Sequence, residues 1–153
     1  SMNDGPRPGV AVIEDVDGDA CLGAWWGEIH AQVHSRVFGL SGAVTNGVVR
    51  DLGDMPAGFP VLAGKVAPSH GFVQVREIGT PVTIFGMAVD EGDLVHADRH
   101  GAVCVPEEVI PHLDGALNRL FASEAVVLGP LKNGPVDFET FEGLWAEFEK
   151  ART

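Results

Sequence analysis

Short apolar runs dominate the first two thirds of the chain, and helical periods dominate the last third. Gly9-Val-Ala-Val-Ile13 is such a run and predicts a strand. Asp15, Asp17 and Asp19 follow in a loop. Alternating aspartates suggest a calcium loop, but the chelating Glu that closes one is missing, so a solvated turn is expected. From Ala24 to about Phe38 the apolar positions Trp26, Ile29, Val33 and Val37 recur at helical spacing, and Gly39 ends the predicted helix. With only one side buried, Trp25 or Trp26 is expected to face outward.

The middle of the chain reads as β-rich. Runs at Ala43-Val44, 61–63, 82–84, Leu94-Val95 and 102–105 are punctuated by Gly and Pro. Asn46-Gly47 marks a turn, Gly92-Asp93 predicts a hairpin turn between Val89 and Leu94, and Asp98 closes the turn into Gly101. Pro106-Glu-Glu opens a second helix, with proline near its first position and acids where the helix dipole favours them. That helix is expected to reach about Ala125, before loop signals at Gly129-Pro130 and Asn133-Gly-Pro135. A last amphipathic helix uses Phe138, Phe141, Leu144, Trp145 and Phe148. Many short strands between helices predict a compact layered α/β or α+β domain.

At 153 residues, one domain spanning 1–153 is expected, with residues 1–8 flexible and 130–153 a C-terminal helical extension. A formal net charge of -12 argues against nucleic-acid binding, which draws most of its non-specific affinity from phosphate neutralisation. No apolar run approaches the roughly 20 residues that span a bilayer. With no signal peptide visible, a cytoplasmic protein with no membrane partner is expected. Cys21 and Cys104 sit in apolar contexts and read as core thiols.

Candidate chemistry concentrates at Arg50-Asp51, just past the Asn46-Gly47 turn. Arginine offers a planar fork for a carboxylate, and aspartate a hard oxygen for a divalent cation. A metal-bound α-keto acid needs both, although an isolated Arg-Asp dipeptide is more often a surface ion pair. Glu28 lies at the start of the first helix, where an acid also simply suits a helix N-terminus. Backbone N–H groups of Ile29 and His30 in that first turn offer a carboxylate-binding site. His30 and His34 share a helical face, but no His-Glu-x-x-His pattern supports a zinc site. His96 and His100 bracket Asp98, within reach of a common cavity.

The segments Gly23-Ala-Trp-Trp-Gly-Glu28, Asn46-Gly47-Val-Val-Arg50-Asp51, Pro60-Val61, Pro81-Val82, Gly92-Asp93 and Ala97-Asp98-Arg-His-Gly101 occur in this order. Together they resemble the family of RraA-like proteins and class II 4-hydroxy-4-methyl-2-oxoglutarate aldolases, over roughly residues 9 to 108. The resemblance implies an α/β swivelling fold of β/β/α layers, assembled as a homotrimer or hexamer with the site near a subunit boundary. It matches Asp51 to the family's metal-binding Asp, for Mg²⁺ or Mn²⁺, and Arg50 to the Arg that holds a keto-acid substrate. Glu28 matches the acid that orients the water carrying the proton. The reaction implied is retro-aldol cleavage or oxaloacetate decarboxylation; the alternative is a non-catalytic protein that restrains a partner such as a ribonuclease.

Two departures stand out. Family members carry several dozen residues ahead of the strand matching Gly9–Ile13, so a natural short form or a fragment is expected. The segment from Glu28 to Arg50 is one residue longer than the family's common spacing, and the extra residue is placed near Arg36-Val37-Phe38.

Overall fold

The computed structural model describes residues 5–152. The chain divides into two compact units, Ser1–Val105 and Pro106–Thr153. In the first, a parallel sheet joins β1 (Gly9–Ile13), β2 (Leu40–Thr45) and β4 (Val61–Leu62) in the order β1-β2-β4. Beside it, β3 (Val48–Val49) pairs in parallel with β5 (Lys65–Val66). Two antiparallel hairpins follow, β6 (Val82–Ile84) with β7 (Met87–Val89), and β8 (Leu94–Asp98) with β9 (Gly101–Val105). β6 lies against β1, and β7 against β9. The helix α1 (Glu28–Arg36) connects towards β2 and packs on it. Helix between parallel strands, with added hairpins, is a mixed α/β arrangement.

β1, β2, β4, β6, β8 and β9 fall at the apolar runs, β3, β5 and β7 are additional strands that no run predicts, and α1 departs from its expected bounds. It begins at Glu28 rather than Ala24, because Trp26 is extended and bridges Val49 in parallel. Its expected apolar stripe is also displaced: Ile29 and Val37 are exposed, while Ala31 and His34 are buried. Neither tryptophan is left facing outward. Trp26 is fully buried against Phe59 and His34, and the half-buried Trp25 stacks on His30 with ring centroids 4.7 Å apart. At its C-terminus α1 closes in a widened turn, where the N–H groups of Val37 (2.8 Å) and Phe38 (3.3 Å) both donate to the Val33 carbonyl. That turn lies where the extra residue is expected. Gly39, at φ 65°, then reverses the chain into β2.

Gly92-Asp93 forms a turn closed by Asp90, but it links β7 to β8, which belong to different hairpins, so the hairpin expected there is absent. The hairpin turn lies instead at Phe85-Gly86, with φ 51° and 85°, the mirror-image backbone that suits the twist of paired strands. Asp98 does close the β8–β9 turn, pairing with Gly101 and accepting from the His100 N–H at 2.7 Å.

The second unit is a helical pair, α2 (Ile110–Asn133) and α3 (Phe138–Ala151), preceded by a short 3₁₀ turn at Glu107–Val109. α2 runs through Gly129-Pro130, where a loop is expected, and carries Pro130 inside it. α3 starts where Asp137 accepts from the Thr140 N–H at 2.8 Å, a side-chain N-cap. At the other end of the chain, Arg7 donates to the Phe38 carbonyl at 2.8 Å. The part of the expected flexible stretch at residues 1–4 lies outside the described residues.

His34 is the buried titratable group of the α1 layer, its Nδ1–H donating to the His30 carbonyl at 2.7 Å. Burial holds its imidazole below the ordinary pKa of 6.5. The unfolded chain therefore takes up a proton that the folded chain refuses, and stability falls as pH drops through and below that value. Urea midpoints should decline from about pH 7.5 to 5.5 less steeply in His34→Phe than in wild type. Parallel declines would contradict this role for His34.

Candidate functional site

β3 ends at Val49, and its neighbour across the parallel bridge is the extended segment that enters α1. The Arg50 N–H continues that pairing by donating to the Trp26 carbonyl at 3.0 Å. Arg50 and Asp51 are thereby set against the N-terminus of α1. Asp51 takes a left-handed backbone, φ 59°, at the head of a turn closed by the Asp54 N–H on the Asp51 carbonyl. Aspartate tolerates that conformation better than most residues do.

The Asp51 carboxylate then serves two donors. Its Oδ2 accepts from the Glu28 N–H at 3.1 Å and from Nη1 of Arg50 in a close ion pair. Gly27, the N-cap residue of α1, has no side chain to offer, so an aspartate from the end of β3 fills the role. Among the described residues nothing donates to the other carboxylate oxygen, Oδ1, and the side chain is 31% exposed. Arg50 is more enclosed, and its Nε is buried without a partner.

The structure brings together Arg50, Asp51 and the first turn of α1, and leaves the rest looser. Glu28 meets the pair through its backbone, while its side chain lies at the surface. The N–H groups of Ile29 and His30 follow in the same turn, ahead of Ala31, whose N–H is bonded to the Gly27 carbonyl at 3.0 Å. Ile29 exposes its side chain, and the His30 ring bonds through Nδ1 to the Trp25 carbonyl.

A divalent cation held by Asp51 fits this donor set. The open oxygen Oδ1 is hard and anionic, and Mg²⁺ commonly keeps several waters beside one or two carboxylates. Among the described residues no group of three or more His, Cys, Asp or Glu could enclose a metal. The expected histidine clusters have other duties. The His30 and His34 rings pack edge-on with centroids 6.2 Å apart, each bonded to a backbone carbonyl. His96, Asp98 and His100 line one surface hollow, with Asp98 paired to His100 at 3.1 Å. Hydrogen bonds from the His100 ring and backbone hold the Asp98 carboxyl below its usual range.

Cys21 is buried, and its thiol donates to Asp15 Oδ2 at 3.0 Å. Burial and that acid push its pKa up to about 11, so it is no nucleophile near neutrality. A cavity of about 450 Å³ between Leu62, Ile84, Phe85 and Met87 is lined by apolar side chains and glycines, with no group to do chemistry.

A family profile described as RraA-like, Aldolase/RraA, matches residues 2–104. The chain belongs to the RraA-like family. An uncharacterized protein of Methanocaldococcus jannaschii is 34% identical over 92 residues, which are 59% of this chain and 44% of that protein. A protein of Halalkalibacterium halodurans named "Putative 4-hydroxy-4-methyl-2-oxoglutarate aldolase" is 26% identical over 102 residues, 65% of this chain and 48% of its own length. The chain thus spans under half the length of these curated relatives. The crystal structure of an uncharacterized protein from Pseudomonas syringae pv. tomato shares the fold, with a TM-score of 0.67 and 22% identity over 94% of this chain and 62% of that one. Arg50-Asp51, Glu28 and the first turn of α1 all fall inside the stretch matched to the RraA-like family.

The left-handed backbone at Asp51 separates fold from chemistry. Asp51→Asn keeps an oxygen acceptor for the Glu28 N–H and tolerates the same φ, so its urea stability should stay within about 1 kcal/mol of wild type. Asp51→Val loses the acceptor and strains a β-branched residue, and should cost of order 1–3 kcal/mol. Equal stability of the two variants would contradict this placement.

Proposed function

We propose that this RraA-like chain is a divalent-metal-dependent lyase acting on a pyruvate-derived keto acid. The substrate is an aldol adduct of the 4-hydroxy-4-methyl-2-oxoglutarate type, oxaloacetate, or both. One observation carries the reading: a guanidinium and a half-open carboxylate, adjacent in sequence, are held together against a helix N-terminus. The family's inclusion of aldolases, and the name of the Halalkalibacterium relative, support the reaction class.

Cleaving the carbon–carbon bond leaves an electron pair on what becomes the methyl carbon of pyruvate, delocalised as an enolate. A Mg²⁺ or Mn²⁺ ion would supply, when bound, the Lewis acidity that stabilises this charge, which collects on the keto oxygen. Asp51 would hold the ion through its open oxygen. Arg50 binds the substrate carboxylate with its fork and offsets the charge that develops beside it. To do so it turns from Asp51 towards the substrate. The N–H groups of Ile29 and His30 offer the substrate further donors at the positive end of α1. Glu28, at the surface of that turn, would pass a proton through water to the enolate carbon, from the hydroxyl of an aldol adduct or from solvent in the case of oxaloacetate.

A trimer or hexamer goes with this reading. Phe72 and Ile78 are exposed on a stretch of the first unit, residues 67–80, that has neither helix nor strand. Apolar side chains on such an arm favour burial against a second copy. Light scattering at micromolar concentration should give three or six chains, and a monomer would count against the arrangement.

The functional test is pyruvate release from both substrate types, with Mg²⁺ or Mn²⁺ and after chelation. Wild type should be active only with metal. Arg50→Lys, which lacks the bidentate fork, should lose both kcat and substrate affinity while remaining folded. Asp51→Asn should lose about a hundredfold or more in turnover. Metal-independent activity, or none on any keto acid, would reject the lyase and leave the partner-binding reading.

A further inference from the structure

We infer that Gly27 is a positioning residue, kept without a side chain so that Arg50 and Asp51 can occupy the N-terminus of α1. The inference rests on the reading of that pair as the substrate- and metal-holding groups. Glycine at such a position usually answers a backbone demand, but none exists here: Gly27 has φ −163° and ψ −174°, extended backbone open to any residue. Its N-cap place would ordinarily favour Ser, Thr, Asn or Asp, whose side chain bonds the first turn. What the position lacks is room. A Cβ would lie 2.6 Å from Asp51 Oδ2, 2.7 Å from Arg50 Cζ and 2.8 Å from Arg50 Nη1. All three nearest atoms are outer parts of the two functional side chains, and none belongs to backbone. Contrast Gly64, where an added Cβ would meet the Asn46 carbonyl oxygen at 2.2 Å and the chain itself would have to move. At Gly27 the fold can absorb a methyl group, and the site cannot.

The consequence is a division of labour across the chain. The residue that should cap α1 gives up its side chain, and the cap comes from Asp51 at the end of β3. A side chain at 27 therefore displaces the carboxylate from the Glu28 N–H and takes the guanidinium with it.

Gly27→Ala and Gly27→Ser test this with two readouts. The first is the ¹⁵N–¹H spectrum. In both variants the Glu28 amide should move from its wild-type position in the same direction as in an Asp51→Ala control, while the Ala31 amide, bonded to the Gly27 carbonyl, should stay near its own. The melting temperature should remain within a few degrees of wild type, and Gly27→Ser, which caps α1 itself, should equal or exceed Gly27→Ala. The second readout is calorimetric titration of oxalate, a planar dicarboxylate resembling the enolate, in the presence of Mn²⁺. Both variants should bind at least about tenfold more weakly, since a displacement near 1 Å disrupts a positioned site. An unmoved Glu28 amide, or undiminished oxalate binding beside a wild type that binds it, would overturn the inference. So would failure of both variants to fold, because the clash would then reach beyond two side chains. If wild type itself binds no oxalate and releases no pyruvate, the lyase reading fails, and the Glu28 amide still decides the role of Gly27.

Discussion

The carboxylate of Asp51 joins the two halves of the candidate site, and the local architecture is arranged around it. It accepts from the first N–H of α1 and from the neighbouring Arg50. An anion is favoured at a helix N-terminus by both the unsatisfied N–H groups and the dipole. The same positive potential would make a lone arginine there unfavourable, so Asp51 is what allows Arg50 to stand beside it. The arrangement needs the end of β3 and the start of α1 at a fixed separation. The parallel bridge between Trp26 and Val49 and the bond from the Arg50 N–H to the Trp26 carbonyl supply it.

That separation is anchored in the core. Trp26 contributes its backbone to the bridge and its indole to a cluster with Ala31, Leu40, Ala43, Val49 and Phe59. Shifting the strand that carries Arg50 would therefore cost packing as well as hydrogen bonds. Arg50 and Asp51 are only partly enclosed, which leaves the pair open to a small charged ligand. Rigid backbone under a partly open pair of side chains is the geometry a positioned site requires.

Much of this was legible in the sequence, for identifiable reasons. β1, β4, β6 and β9 follow short apolar runs between turn residues, where periodicity and punctuation agree. Asn46-Gly47 does end a strand, β2 at Thr45, but Arg50-Asp51 follow a further short strand, β3, that no apolar run predicts, and the pair stands out through the family resemblance. The errors have a common physical source, which is that tertiary pairing overrides local pattern. Trp26 fits a helical period yet is extended, because its backbone pairs with Val49. Gly129-Pro130 reads as a loop, yet α2 carries the proline inside it. The role of Asp51 as cap to α1 could not be read at all, since the two partners lie far apart in sequence. The bare glycine before Glu28 was the available signal: a helix start without a capping side chain needs an acceptor from elsewhere.

Asp51 is proposed as the protein's direct hold on a divalent ion, and titrating Mn²⁺ into wild type and into Asp51→Asn tests that without reliance on any substrate. Wild type should bind one equivalent, and Asp51→Asn, equally well folded, should bind at least about tenfold more weakly, because it keeps an oxygen but loses the charge that a hard cation requires. Equal affinity in the two proteins would place the ion elsewhere and contradict the central claim.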